Sequence, residues 1–185
     1  MLVRVLVAFC TVLTLSTYVS AQDRYEEHRE RERAERHWLE GRVTQVIDGD
    51  TCVIEDRDGR RHRICLYGCD APENGQPYYQ EAREALLRRI HNKEVRYALA
   101  ETDTEGRPCY NLYVGNDQIN LEQVRAGYGW HHTEHERIRE FADAEHAARE
   151  RHVGLWADRH PVEPWKYRSE HREARRNIER ERDRD

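Results

Sequence analysis

Apolar and polar positions alternate in short runs from residue 41 onward, and each run ends at a turn signal. Val43, Val46 and Ile47 form the first run, Cys52, Val53 and Ile54 the second, and Ile64 and Leu66 the third. Runs of this length rich in β-branched residues predict strands, and the Asp56-Arg57-Asp58-Gly59 cluster joins the last two as a hairpin. A two-residue Asp58-Gly59 turn would set Cys52 opposite Cys65, whereas a three-residue loop would shift the register by one. Over residues 80–90 the period changes: Ala82, Ala85, Leu86 and Ile90 fall on one face of a helix. Residues 94–98 and 109–114 read as further strands, the second ending in a Gly115-Asn116-Asp117 turn. Asn120 is placed to cap a short helix through Leu121, Val124 and Ala126 that stops at Gly127. Residues 138–151 predict another helix, with Phe141, Ala142, Glu145, Ala148 and Arg149 spaced for packing. Five strands and about three helices around one small core predict an α+β fold, a five-stranded barrel of the OB type. After Arg168 the chain is charged and uncapped, as expected of a frayed helix or disorder.

The 185-residue length allows one domain with tails. Residues 1–21 have the pattern of a secretory signal: Arg4, an apolar stretch from Val5 to Leu15, and small residues at Val19-Ser20-Ala21 before Gln22. The apolar run is shorter than the roughly 20 residues a membrane span needs, so removal is expected, leaving a secreted or extracytoplasmic protein with no membrane attachment. Residues 22–40 read as a charged linker or helix, 41–168 as the domain, and 169–185 as a charged tail. Four cysteines follow the signal: Cys52, Cys65, Cys69 and Cys109. An even count in an exported chain suggests disulfides, with three possible pairings. An extended 65–69 segment would hold its ends about 13 Å apart, which disfavours Cys65–Cys69. Cys52–Cys65 with Cys69–Cys109 is the leading arrangement, and the spacings match no common zinc finger.

Charge narrows the functional classes. Residues 41–168 carry 19 Lys and Arg against 23 Asp and Glu, a net of −4. This is not the basic body of a simple nucleic-acid-binding module, so polyanion binding must be local or assisted by a cation.

The densest chemistry lies in Arg63-Ile64-Cys65-Leu66-Tyr67-Gly68-Cys69-Asp70-Ala71-Pro72-Glu73. An apolar strand runs into a bend at Gly68, and Pro72 holds Ala71 extended, leaving Asp70 and Glu73 on irregular backbone. Upstream, Ile47-Asp48-Gly49-Asp50-Thr51 sets Asp50 at the mouth of another strand. Downstream, Asp103-Thr104-Glu105-Gly106-Arg107 opens one with an arginine. Three carboxylates and an arginine at successive strand rims are the parts of a phosphodiesterase site. These motifs, with Gly127-Tyr128-Gly129-Trp130, Gly154-Leu155-Trp156 and Pro164-Trp165, resemble the staphylococcal nuclease (thermonuclease) family over roughly residues 41–168.

The resemblance implies the OB-type fold and a secreted, Ca²⁺-dependent nuclease, expected to be monomeric, acting on DNA and/or RNA. It assigns Asp50 and Asp70, with the Ala71 carbonyl, to Ca²⁺; Glu73 to the general base; and Arg107 to the phosphate. One departure stands out. Active members carry a second arginine five residues before the equivalent of Asp70, and here that position is Cys65. Losing such a donor typically costs about 100- to 1,000-fold in rate. Arg63 is the candidate substitute, on the same strand face and about 6.6 Å away along the strand. The alternative is a catalytically impaired module that binds Ca²⁺, nucleic acid or a protein partner. His131-His132 and His135 have a spacing that suits a transition metal, although histidine-rich surface loops are common. Trp130, Trp156 and Trp165 suit packing better than base stacking, and Tyr78 and Tyr79 suit cover for the helix start.

Overall fold

The loop of the first hairpin sets the register on which the barrel depends. The computed structural model describes residues 38–102, 106–131 and 139–182, the last with side chains to residue 173. The expected signal, nearly all of the linker, His132 and His135 lie outside the described residues. Strands β1 (Leu39–Val46), β2 (Thr51–Asp56) and β3 (Arg61–Leu66) form a meander. Between β2 and β3, Cys52 faces Ile64 and Thr51 faces Cys65, so the loop is the three-residue Arg57-Asp58-Gly59. Its cause is local: the Asp56 carboxylate accepts the N–H groups of Asp58 at 2.9 Å and Arg60 at 2.8 Å. Gly59 takes the positive φ of 78° that the extra residue requires.

That one-residue shift corrects the disulfide expectation. Cys52 points into the core beside Ile54 and Ile64, whereas Cys65 alternates to the other face of β3. The expected Cys52–Cys65 bridge cannot form across opposite faces. Cys69 is packed beneath Gly129, where an added β-carbon would lie 2.3 Å from its sulfur, and it does not bridge to Cys109. All four residues are thiols.

Helix α1 (Tyr79–Ile90) follows, burying Ala82, Ala85, Leu86 and Ile90, the face read from the sequence. Burying Leu86 and Ile90 contributes roughly 1.5–3 kcal/mol each. Strands β5 (Glu94–Thr102) and β6 (Pro108–Val114) then extend the sheet, after the short β4 (Cys69–Asp70). With β7 (Asp117–Gln118), the order is β3-β2-β1-β5-β6-β7, and a parallel β3–β6 pairing through Cys65↔Cys109 and Leu66↔Tyr110 closes five strands into a barrel. Val43, Val46, Ile54, Ile64, Leu66, Tyr97 and Leu112 fill it.

Helix α2 (Ile119–Arg125) begins after Gln118, and Asn120 is not its cap. Asn120 is fully buried in the first turn, where its Oδ1 accepts the Leu112 N–H at 2.9 Å. Its Nδ2 donates to the carbonyls of Tyr67 at 2.8 Å and Tyr110 at 2.9 Å. Three backbone groups at the barrel seam need partners away from water, and that demand overrides the asparagine's local preference.

A second, smaller core gathers β8 (Trp130–His131), helix α3 (Arg139–Glu150), the 3₁₀ turn Gly154–Ala157 and helix α4 (Pro164–Arg182). Trp130 meets Trp156 and Trp165 edge-on, with centroids 4.4 and 5.7 Å apart, and the Arg149 guanidinium lies 3.9 Å over Trp156. The two glycine motifs cross here. A β-carbon on Gly154 would lie 2.2 Å from the Gly127 carbonyl oxygen, which accepts the Leu155 N–H at 2.8 Å. Helix α4 runs on to Arg182, so the segment after Arg168, expected as a frayed helix or disorder, is helical as far as residue 182. The described residues thus hold four α-helices where about three were expected.

Two consequences are measurable. Asn120→Ala leaves the Leu112 N–H and the Tyr67 carbonyl without the amide, while the Tyr110 carbonyl keeps the Tyr67 N–H at 3.0 Å, and is expected to lower stability by about 2 kcal/mol or more, read from the urea midpoint. An unchanged midpoint would mean that water replaces the amide. Gly129→Ala is expected to cost roughly 1–3 kcal/mol through its collision with Cys69, whereas Cys69→Ala/Gly129→Ala should be less destabilised than the sum of the single variants. Additive losses would show that the collision is relieved in another way.

Candidate active site

Close backbone approach brings the two acidic segments together. A β-carbon on Gly49 would lie 2.6 Å from the Ala71 methyl and 2.8 Å from that of Ala82, so only glycine lets this loop reach both the bend and α1. Gln123, fully buried on α2, clamps the contact by donating to the carbonyls of Gly49 at 2.9 Å and Ala82 at 2.8 Å. Asp50 follows directly. Its Oδ2 accepts the Ala71 N–H at 2.7 Å and its Oδ1 the Thr51 hydroxyl at 2.8 Å, while its carbonyl accepts the Leu66 N–H at 2.8 Å.

Asp70 is held from the other side. It pairs with Trp130 in the β4–β8 ladder, and its side chain is only 10% exposed. Gly68, at φ 72°, turns the chain where a β-carbon would press on the Phe141 ring at 3.3 Å. Beyond Pro72, the Glu73 N–H donates to Gln76 Oε1 at 2.6 Å, which leaves the half-buried Glu73 carboxylate facing the cleft.

Asp50, Asp70, Ala71, Glu73, Arg63 and Arg107, the residues singled out from the sequence, all line this one cleft. What the structure shows of Ala71 is its N–H on Asp50. Arg63 is exposed on the rim, on the same face of β3 as Cys65, and Arg107 is exposed just before β6. Cys65 and Cys109 lie side by side at the barrel seam, on the cleft wall.

The cleft is crowded with negative charge. Burial, and then the neighbouring Asp48, Cys65 and Asp70 groups, push the Asp50 carboxyl well above the usual carboxylate range, and the Ala71 N–H only partly offsets this. Such a site favours a cation. Its carboxylates offer oxygen donors, which suit a hard divalent ion, while the Cys65 and Cys109 thiols stand on the cleft wall. Among the described residues no three His, Cys, Asp or Glu side chains form a cage, so carbonyl and water ligands would have to complete the shell.

A residue that sequence reasoning did not place there is Arg168. From α4 its Nη1 and Nη2 donate to Asp70 Oδ1 at 2.9 Å and Oδ2 at 2.8 Å, and Nη1 also donates to Glu73 Oε1 at 2.6 Å. Burial alone would lower this guanidinium's pKa; its bonds and charge pairing with Asp70 and Glu73 outweigh burial and raise it. The signal was Pro164-Trp165: proline starts the helix, Trp165 docks on Trp130, and Arg168 follows three residues later, on the same side of the helix. Three further contacts tie α4 and the segment before it to the bend. Gln76 Nε2 donates to the Val162 carbonyl at 3.1 Å and the Tyr167 hydroxyl to the Asn74 carbonyl at 3.3 Å, and Gly75 leaves room for that hydroxyl. Tyr78 packs on the tryptophan cluster, and the Tyr79 hydroxyl donates to the Ile47 carbonyl at 3.4 Å.

Comparison with known proteins agrees with this geometry. The family model for "Staphylococcal nuclease homologue" matches residues 63–158. A probable staphylococcal-like nuclease of rice (Oryza sativa subsp. japonica) is 35% identical over 128 residues, 69% of this chain and 35% of that protein. An uncharacterized endonuclease of Haemophilus influenzae is 31% identical over 127 residues, 69% of this chain and 71% of that protein. Protein ParB of Escherichia coli is 35% identical over 144 residues, 71% of this chain and 80% of that protein. The chain spans about a third of the length of the rice nucleases it matches and most of the length of these bacterial relatives. A family match over more than half of the chain, on a barrel that carries the acids and arginine of the motif in one cleft, means that the chain belongs to the staphylococcal nuclease homologue family.

Proposed function

We propose that this protein is a Ca²⁺-dependent nuclease that hydrolyses phosphodiester bonds of DNA and/or RNA and works outside the cytoplasm. The observation that carries this reading is the convergence of Asp50, Asp70, Glu73 and Arg107 on one cleft in a chain of a nuclease family. Export is supported by the pattern of residues 1–21.

Asp50 and Asp70 are the carboxylates that would hold the cation, with the Ala71 carbonyl and water completing the shell. Bound there, Ca²⁺ supplies positive charge against the non-bridging oxygens of the phosphate. Glu73 takes a proton from the attacking water as its oxygen bonds to phosphorus and the bond to the leaving oxygen breaks. Arg107 offers a planar fork that holds two phosphate oxygens and meets the growing charge. The net negative charge of the domain leaves these local cationic groups to bind the polyanion, so affinity is expected to fall with salt.

Cys65 favours a second reading, a module that binds Ca²⁺, nucleic acid or a protein without cutting, since cysteine offers no guanidinium to the phosphate. Hydrolysis of denatured DNA and of RNA, with Ca²⁺ and then with chelator, separates the two. Cleavage that disappears with chelator is expected. Ca²⁺ binding by calorimetry without cleavage would favour the non-cutting module. Asp70→Ala should abolish Ca²⁺ binding. Glu73→Gln should retain it while lowering kcat by about 100-fold or more. A Glu73→Gln variant at full rate would remove Glu73 from the role of base.

A further inference from the structure

We propose that Arg168, carried by the C-terminal helix, is the second phosphate-gripping guanidinium of this site, in place of an arginine on β3; the inference rests on the nuclease reading above. The family model matches residues 63–158, and none of the motifs that carry the resemblance contains residue 168.

The pattern of its contacts carries the argument. A guanidinium has five N–H donors: an end fork formed by one hydrogen on each of Nη1 and Nη2, a side fork formed by Nε–H and the other Nη2–H, and a fifth on Nη1. Asp70 takes the end fork, and Glu73 takes the remaining Nη1 hydrogen. Among the described residues nothing takes the side fork, which is the geometry that holds two oxygens of a phosphate. Arg168 therefore does not have to leave the acids in order to bind substrate. An ionised carboxylate has about four lone-pair positions, so Asp70 can serve both this fork and a cation.

Placement agrees with the role. The side chain is 22% exposed, on the cleft wall with Arg107, and it touches both the proposed base and a proposed metal ligand. Its helix is fixed at Trp165, Tyr167 and the Val162 carbonyl, so the guanidinium is delivered from a packed element and not from a loose tail. Arg63 is exposed on the rim, and Cys65 offers only a thiol. Arg63 and Arg168 are thus rival candidates for the substitute arginine, and Arg168 is the one that touches Asp70 and Glu73.

The test compares wild type with Arg168→Ala, Arg168→Lys and Arg63→Ala in Ca²⁺. Both Arg168 variants are expected to lose about 100-fold or more in kcat, lysine because it keeps the charge on Asp70 and Glu73 but has no side fork. A 5′-mononucleotide titrated by calorimetry in Ca²⁺ should bind Arg168→Lys about tenfold more weakly than wild type, and Cys65→Arg should restore part of the rate to Arg168→Ala. Arg168→Lys keeps a cation beside Asp70 and Glu73, so it is the informative variant if Arg168→Ala is unstable. Wild-type rate and mononucleotide affinity in Arg168→Lys would overturn the proposal while leaving the nuclease reading intact. So would a rate in Arg168→Ala that equals or exceeds wild type with tighter Ca²⁺ binding, the mark of a plug. If wild type binds Ca²⁺ but cuts nothing, the nuclease reading fails, and unchanged mononucleotide affinity in Arg168→Lys then rejects the Arg168 assignment as well.

Discussion

Like-charge repulsion in a half-enclosed cleft is the constraint from which most of the architecture around the site follows. Asp48, Asp50, Asp70 and Glu73 share one cleft, and acids drawn out of water repel one another strongly. The chain answers with fixed donors. Ala71 N–H and the Thr51 hydroxyl bind Asp50, the Asp50 N–H binds Asp48, and the Arg168 guanidinium spans Asp70 and Glu73. The Ala71 bond does double duty, because it also ties the bend after β4 to the loop before β2. Burial and its acidic neighbours push the Asp50 carboxyl upward in spite of its donors, and that residual frustration is what a hard cation would relieve.

The two cores have separate tasks. The barrel interior, closed by β3 against β6, holds Asp50 and the Cys65–Cys109 seam in register. The tryptophan core beside it holds β8, and through β8 the backbone of Asp70; it also seats α4, and through α4 the guanidinium of Arg168. Asp70 is thus gripped by one cluster through both its backbone and its side chain. The glycine motifs belong to this second core: Gly127 and Gly154 let two backbones touch, and Gly129 makes room for the Cys69 sulfur under the strand that carries Asp70. Their part in the site is to locate it.

The cleft sets guanidinium groups among its acids. The domain is net acidic, yet Arg63, Arg107 and Arg168 all line the cleft. A polyanion is repelled by much of the surface and received at one place, and any cation bound by the acids would deepen that contrast.

Periodicity alone determined a good deal of this protein. The apolar face of α1, the strand runs around Val43, Cys52 and Ile64, the Gly115 turn and the five-strand barrel were legible because each is written within a few adjacent residues. So were Asp50, Asp70, Glu73 and Arg107, whose side chains sit on turn signals at strand rims. The hairpin register was not legible. A two- or three-residue loop fits the same residues, and the Asp56 carboxylate decides between them only once it has folded over Asp58 and Arg60. Asn120 has the local preference of a cap, but the barrel seam supplies three backbone groups that it bonds instead. Arg168 stands 98 residues from Asp70, at the end of the expected domain, where the charged tail begins. No pattern along the chain joins the two residues. Only docking of Trp165 against Trp130 does, because an ion pair between distant segments forms where packing has already brought their backbones together.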